Sequence, residues 1–508
     1  MKLSRRHFLQ WGSALLAAPG IARAGLAKPV LNVGCASGDV NQDGAVIWTR
    51  ADKASRLWVD IDTSAKFTSP RRFRGSAGLA GNDFNMHCVL QGLEPGKPWF
   101  YRVQAESLER PGLLSDYLHG QFKTAPVSNA SVRFCWSGDT AGQGYGIDES
   151  RGGMAIYRTM LNHQPDFFVH SGDQIYADNP LQATKALDDG TQWKNIVTPG
   201  KSHVAQTTQD FRDNYYYNYL DKHYRQFYAQ VPLYQQWDDH DVHNDWYPGE
   251  QLNDPKYQVK STSLLAARSK QALFECNPIR INPADTEQLY RSINYGPSLQ
   301  LFILDLRSYR GPNSLNRQQH QGPDAAYMGS SQLAWLKQAL AASKATWKII
   351  CSDMPLGLIV NKWGTPLAEN DANGDGPPLG RELEFAELLG FVHTQKISNV
   401  HFITADVHYC GSYHYRPERA VFKQFTPFWE FVSGPLHAGT FGPNKLDNTF
   451  GPEEVFIGIP RDMKPNRPPS DGYQFFGQMD INARTGALTV SHFNAADQLL
   501  WSKTLPAK

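Results

Sequence analysis

Short apolar runs separated by turn residues dominate the first quarter of the chain. The runs at 45–49, 57–61, 87–90 and 99–103 are β-branched or aromatic, and Asn41-Gln42-Asp43-Gly44 and Pro95-Gly96 punctuate them. Runs this short, with turn residues between them, predict a small fibronectin-like β-sandwich over residues 29–127. From about residue 128 the pattern changes. Apolar strands at 132–136, 166–170, 299–304, 347–351 and 400–404 alternate with helical stretches at 153–161, 211–228, 263–275, 331–342 and 380–395. The tail from Phe475 alternates as strands around Arg484-Thr485-Gly486. Strands interleaved with helices predict a mixed α/β domain over residues 128–508.

The first residues follow another pattern. Ser4-Arg5-Arg6-His7-Phe8-Leu9 precedes an apolar run at 11–21 and then Ala22-Arg23-Ala24. A basic start, a short apolar stretch and an Ala-x-Ala end predict a signal peptide over residues 1–24, cleaved after Ala24. The adjacent arginines followed by Phe8-Leu9 resemble a twin-arginine signal. The expected location is therefore periplasmic or extracellular, with transient contact to the twin-arginine export machinery. The run is too short for a confident membrane span, and no later stretch reaches that length. Hydrophobic residues make up 41% of the chain, charged residues 19%, and the net charge is +1. This balance argues against a disordered chain and against a general polyanion binder. No basic run is interleaved with aromatics, so no sequence-specific nucleic-acid partner is expected.

The chain has 6 cysteines and no CxxC pair, which argues against a zinc knuckle. Cys135 and Cys351 lie inside apolar runs and are expected to be buried thiols. Cys35 and Cys88 are a candidate disulfide in an oxidising compartment.

Four segments share one design, an apolar strand running into small residues and then carboxylates or imidazoles. They are Phe134-Cys135-Trp136-Ser137-Gly138-Asp139, Phe167-Phe168-Val169-His170-Ser171-Gly172-Asp173-Gln174-Ile175-Tyr176-Ala177-Asp178, Trp237-Asp238-Asp239-His240-Asp241-Val242-His243-Asn244-Asp245 and Phe402-Ile403-Thr404-Ala405-Asp406-Val407-His408. Taken alone, a Gly-Asp after a strand reads as a turn or a helix cap. Four polar groups after Trp237 need partners or a metal if they are buried. Asp406 and His408, two apart on a strand end, share a face. Ligands bind beyond the carboxyl ends of strands in α/β sheets, so the four ends together predict an oxygen- and nitrogen-lined metal site. Two ions bridged by a carboxylate suit in-line displacement at phosphorus, with an imidazole serving the leaving oxygen and an arginine the phosphoryl charge.

At these segments the sequence resembles the PhoD-type alkaline phosphatases of the metallophosphoesterase superfamily. The resemblance covers nearly the whole mature chain, including Val33-Gly34-Cys35-Ala36-Ser37-Gly38-Asp39 and Leu304-Asp305-Leu306-Arg307-Ser308-Tyr309-Arg310. It implies a four-layer αββα sandwich, a small phosphate-ester substrate and a dinuclear or multinuclear metal centre of iron with calcium. By position, Asp173 is implied as the bridging carboxylate and Tyr176 as an iron ligand. Asp239 is implied at the second metal, with Asn244 as an alternative, and His240 as the candidate acid. Asp406 and His408 match the last metal-binding motif, and Arg307 is the candidate phosphate clamp. The competing reading of Arg307 is a salt bridge to Asp305 or another carboxylate. Asp139 stands where iron-type relatives carry a cysteine, which leaves manganese or zinc as alternative metals.

The rival activities are a phospholipase D-like phosphodiesterase and a non-catalytic exported binding protein. Asn370-Asp371-Ala372-Asn373-Gly374-Asp375-Gly376 resembles a calcium loop without the full pattern, and a solvated turn is the expectation. Leu436-His437-Ala438-Gly439-Thr440-Phe441-Gly442 is a candidate cover for the site.

Overall fold

The computed structural model describes residues 27–362 and 364–508. The expected signal peptide lies outside these residues. Two large sheets pack face to face. The first holds nine strands in the order Leu499–Leu505, Leu488–Asn494, Phe475–Ile481, Val132–Ser137, Phe167–Ser171, Leu233–Gln236, Cys35–Gly38, Ala45–Arg50 and Asn85–Leu90. The second holds seven, in the order Arg291–Asn294, Leu299–Ile303, Trp347–Cys351, Val400–Thr404, Phe428–Val432, Gly411–Tyr415 and Pro452–Ile457. The centre of each sheet is parallel, and its edges are antiparallel.

Apolar residues on the facing sides close the space between the sheets. Phe134, Trp136, Phe167 and Val169 meet Leu301, Ile303, Ile349 and Phe431 there, all essentially without exposure. The outer faces carry helices. Helices Ile156–Asn162, Thr208–Asn218 and Lys222–Gln230 cover the first sheet through Met160, Tyr217 and Phe227. Helices Ser330–Ala342 and Glu382–Thr394 cover the second through Leu336, Phe385 and Leu388. The result is the expected αββα order. The predicted helix at 211–228 is two helices, because the Asp221 carboxylate accepts from His223 N and Tyr224 N and starts a new one.

A four-stranded sheet, Arg71–Gly78, Ser55–Asp62, Pro98–Ser107 and Leu118–Lys123, packs on the Cys35–Gly38, Ala45–Arg50 and Asn85–Leu90 end of the nine-stranded sheet. The residues of the first quarter thus contribute to two sheets, one of which continues through a parallel pair, Gly38 with Leu233, into the centre of the fold. No disulfide joins Cys35 to Cys88, and both are free buried thiols. Strand Ala45–Arg50 lies between theirs, pairing Thr49 with Cys35 and Ile47 with Cys88. Two interstrand steps of about 4.8 Å each put the pair beyond disulfide reach.

Candidate metal centre

The parallel strands deliver their carboxyl ends to one place. Strand Val132–Ser137 continues into Asp139, Phe167–Ser171 into Asp173, Leu233–Gln236 into Asp238 and Asp239, and Val400–Thr404 into Asp406 and His408. At three of these turns the backbone bends sharply. Asp139 (φ 69°), Asp173 (φ 51°), Asp406 (φ 67°) and His408 (φ 60°) are all left-handed. Non-glycine residues in that region are uphill and gather at functional sites, where surrounding bonds hold them. Asp241 is one such clamp: its carboxylate accepts from Asp173 N and Asp238 N at 2.9 Å each, and from Ile175 N at 3.2 Å.

Among the described residues, four overlapping groups place their ligand atoms within 4.8 Å of one another: Asp139, Asp173 and His408; Asp173, Asp239 and His240; Asp238, Asp239 and Asp406; Asp239, Asp245 and Glu369. Asp173 links the first two groups, and Asp239 links the last three. Tyr176 joins through its hydroxyl, 2.8 Å from His408 Nε2. His408 Nδ1 donates to the Gly439 carbonyl, so Nε2 keeps a lone pair that accepts from the Tyr176 hydroxyl, with Asp139 Oδ1 3.8 Å away. Burial holds the His408 imidazole down to about 4. Burial, and then neighbouring carboxylates, push Asp139 and Asp173 well above the usual carboxylate range.

Three carboxylate oxygens of this nest, Asp139 Oδ2, Asp238 Oδ2 and Asp239 Oδ1, are buried without a hydrogen-bond partner. Orphaned oxygens at this density are costly, and cations would satisfy them. The donor set of carboxylates, one phenol and one lone-pair imidazole fits hard to borderline ions, and its overlapping groups fit more than one ion.

On the rim, His240 Nδ1 lies 2.8 Å from Asp178 Oδ1, and Asp178 Oδ2 accepts from Asn244 N. Burial opposes charge on His240, but Asp178 and Asp239 override it and raise the imidazole to about 10. Burial likewise opposes the Asp178 carboxylate, which His240 nonetheless holds at about 2. The two therefore form an ion pair. The Asn244 carboxamide donates to Asp245, so its nitrogen is already engaged.

Arg307 departs from the expected phosphate clamp. Its guanidinium is fully buried and turned to carboxylates: Nε lies 2.6 Å from Asp238 Oδ1, and Nη2 lies 2.7 Å from Glu369 Oε1 and 3.6 Å from Asp239 Oδ1. Asp305 is not its side-chain partner; that carboxylate accepts from Trp237 Nε1 and Ser308 and faces Lys270. A cation on a strand-end loop reads the same in sequence whether it faces substrate or the carboxylates beneath, and packing decides which. Residues 370–372 also depart from the expected solvated turn, while 373–376 remain at least partly exposed. Asn370, Asp371 and Ala372 are buried, and the turn is pinned by Asn373 N and Gly374 N donating to Asp447. Just before it, Glu369 enters the nest from a segment with no motif to signal it. Asp178 and Asp245 stood in the quoted motifs without a role. The 436–442 segment lies against the site, with Phe441 edge-on to His408 and the His437 carbonyl accepting from Ala141 N.

A sequence model described as PhoD-like phosphatase matches residues 134–492, and one described as the N-terminal domain of PhoD-like phosphatase matches residues 17–126. Alkaline phosphatase D of Bacillus subtilis (strain 168) is 25% identical over 444 residues, covering 82% of this chain and 71% of its own. The fold superposes on a structure of PhoD with a TM-score of 0.69 at 19% identity, covering 94% of this chain and 92% of the other. It superposes on purple acid phosphatase PPD1 from yellow lupin (Lupinus luteus) seeds with a TM-score of 0.56 at 12% identity, covering 94% and 74%.

Proposed function

The chain belongs to the PhoD-like phosphatase family and is a phosphoesterase; from that premise we propose that it is an exported, metal-dependent enzyme hydrolysing phosphomonoesters, phosphodiesters or both. The observation that carries the reading is the nest itself: four strand ends converge with three buried carboxylate oxygens left without partners. Asp139, Asp173, Tyr176 and His408 would hold one ion, and Asp239 and Asp406 a second, with Asp173 common to two of the neighbouring ligand groups. Iron with calcium is the favoured pairing, and manganese or zinc the alternative given Asp139. Such ions, when bound, supply Lewis acidity toward water and the phosphoryl oxygens.

The chain's own residues do the rest. The Asp178 carboxylate fixes the His240 ring through Nδ1 and stabilises its charged form, which leaves Nε2 as the edge that can hand a proton to a leaving oxygen. Arg307 acts from below. It sits against Asp238, Asp239 and Glu369 and balances part of their charge, so that the carboxylates can stay close together. Export rests on the twin arginines Arg5-Arg6 and the Ala22-Arg23-Ala24 end.

The test is elemental analysis of the folded protein beside an absorbance spectrum, followed by assay on an aryl phosphate monoester and the matching diester. Stoichiometric iron and calcium with a broad visible band supports Tyr176 as a ligand. Zinc or manganese replaces the favoured pairing. Absence of stoichiometric metal after metal-replete purification overturns the metal-dependent reading.

A further inference from the structure

The segment between Asp139 and Ile147 forms part of the rim of the centre, and its backbone is unusual. Ala141 (φ 61°) and Gln143 (φ 59°) are left-handed non-glycine residues, and Gly144 (φ 90°) follows. Such a conformation persists only when neighbours over-determine it. Here they do. Thr140 N donates to Asp173 O at 2.8 Å and Ala141 N to His437 O at 2.7 Å. Gly146 N donates to Asn195 Oδ1 at 2.7 Å. The Gln143 carbonyl accepts from Lys185 Nζ at 2.6 Å and from Asn466 Nδ2 at 3.4 Å. Lys185 comes from a separate hairpin, Thr184–Ala186 with Gln192–Lys194, and also stands 3.8 Å over the Tyr145 ring.

Gly142 sets where this loop lies. A Cβ on it would overlap the Tyr176 ring, so only glycine allows the backbone to rest on that ring. The Tyr176 ring in turn packs on His240, with centroids 4.4 Å apart. The loop is thus registered on the two rings at the rim. The register brings the half-buried Gln143 carboxamide to His240, with its Nε2 atom 3.4 Å from the imidazole Nε2. Asp178 already holds Nδ1, so Gln143 meets the other ring nitrogen, the edge turned toward a substrate; as placed, its amide N–H donates to Nε2 of the neutral ring. A carboxamide can turn over to offer either its N–H or its oxygen, so it can hold this edge of the ring whether Nε2 accepts or donates.

We propose that Gln143 is a positioning residue that holds the Nε2 edge of His240 at the place of the leaving-group oxygen, and so sets how well the enzyme handles esters with poor leaving groups. This rests on the reading of His240 as the group serving the leaving oxygen. The strained backbone, the Lys185 clamp and the glycine contact on Tyr176 together place this side chain.

The experiment uses the metal-loaded full chain and measures kcat/KM over a series running from aryl to alkyl phosphate esters. Aryl leaving groups depart with little help from an acid, and alkyl ones need it. In Gln143→Ala the alkyl-to-aryl ratio is expected to fall about tenfold, part of the 10²–10⁴ that a positioned acid contributes. Metal content should match wild type. Gln143→Met, which keeps length without hydrogen bonds, should behave alike. Lys185→Met should shift the ratio in the same direction by less. His240→Ala should show the steepest dependence of all. If His240→Ala shows none, the leaving-group reading and this inference fail together. If His240→Ala shows it and neither Gln143 variant does, only the role of Gln143 is overturned. Equal loss across the series in both Gln143 variants likewise overturns it, since a merely structural role would slow every ester alike.

Discussion

Two regions of this molecule bury aspartates in opposite ways. In the four-stranded sheet, Asp60 is 3% exposed, and both of its oxygens are met by guanidinium groups, Arg72 at 2.6 and 3.0 Å and Arg102 at 2.9 Å. The charge is closed within the protein. In the metal centre, Asp139, Asp173, Asp238 and Asp239 are buried as deeply, yet they face one another, and the Arg307 guanidinium is set against Asp238 and Asp239. Three oxygens there find no donor. A buried carboxylate matched to arginine is finished structure, whereas carboxylates matched mainly to each other need cations from outside.

The contrast yields predictions of decreasing size. The largest concerns Asp173, common to two ligand groups. Asp173→Ala should empty the centre of metal and reduce turnover to background, as read by elemental analysis and an aryl phosphate assay. Retention of both metals and full rate would sink the assignment. Next is Arg307→Met, which leaves Asp238 and Glu369 buried without their partner. It should cost about 3–5 kcal/mol by denaturant unfolding. A loss near zero would mean that the nest does not need its counter-cation.

Asp178→Asn should then slow turnover of alkyl esters by about 10²–10⁴ while leaving metal content unchanged, because it removes the partner that orients and charges His240. The smallest effect belongs to the closed region. Asp60→Asn should cost about 1–3 kcal/mol and leave metal and turnover alone. Its pH dependence has a definite sign. Burial pushes the Asp60 carboxyl upward, but Arg72 and Arg102 override it and hold it below its usual range. A group depressed in the folded state stabilises above its unfolded value, about 3.9, and loses that contribution as pH falls through the folded one. The stability gap between wild type and Asp60→Asn should therefore be flat above pH of about 5 and close below pH of about 4. A gap that widens on acidification would contradict the arginine pairing.

The same contrast separates what was legible from what was not. Strands Trp347–Cys351 and Val400–Thr404 stand where the apolar runs predicted them, because strands buried on both faces have uniformly apolar sequences. Strand Arg71–Gly78 escaped, since an exposed edge strand reading Arg-Arg-Phe-Arg-Gly-Ser-Ala-Gly has no apolar alternation to see. The break at Asp221 escaped because the helical period continues through it, and only a cap bond marks the restart. Asp139, Asp173, Asp239, His240, Asp406 and His408 were legible as polar groups after apolar strands. Glu369 was not, coming from a loop that the sequence leaves featureless. The direction of Arg307 was open in sequence and settled by burial.

The sequence by itself determined the strand ends and the chemistry waiting at them, because period, turn residues and donor type are local properties. Tertiary structure decided which of these groups meet. It joined the first-quarter strands to the central sheet, set Cys35 and Cys88 two strands apart, turned Arg307 inward and brought Gln143 to His240. These outcomes depend on contacts between segments distant in the chain, whose register is set by packing and by buried hydrogen bonds, and no local pattern carries that information.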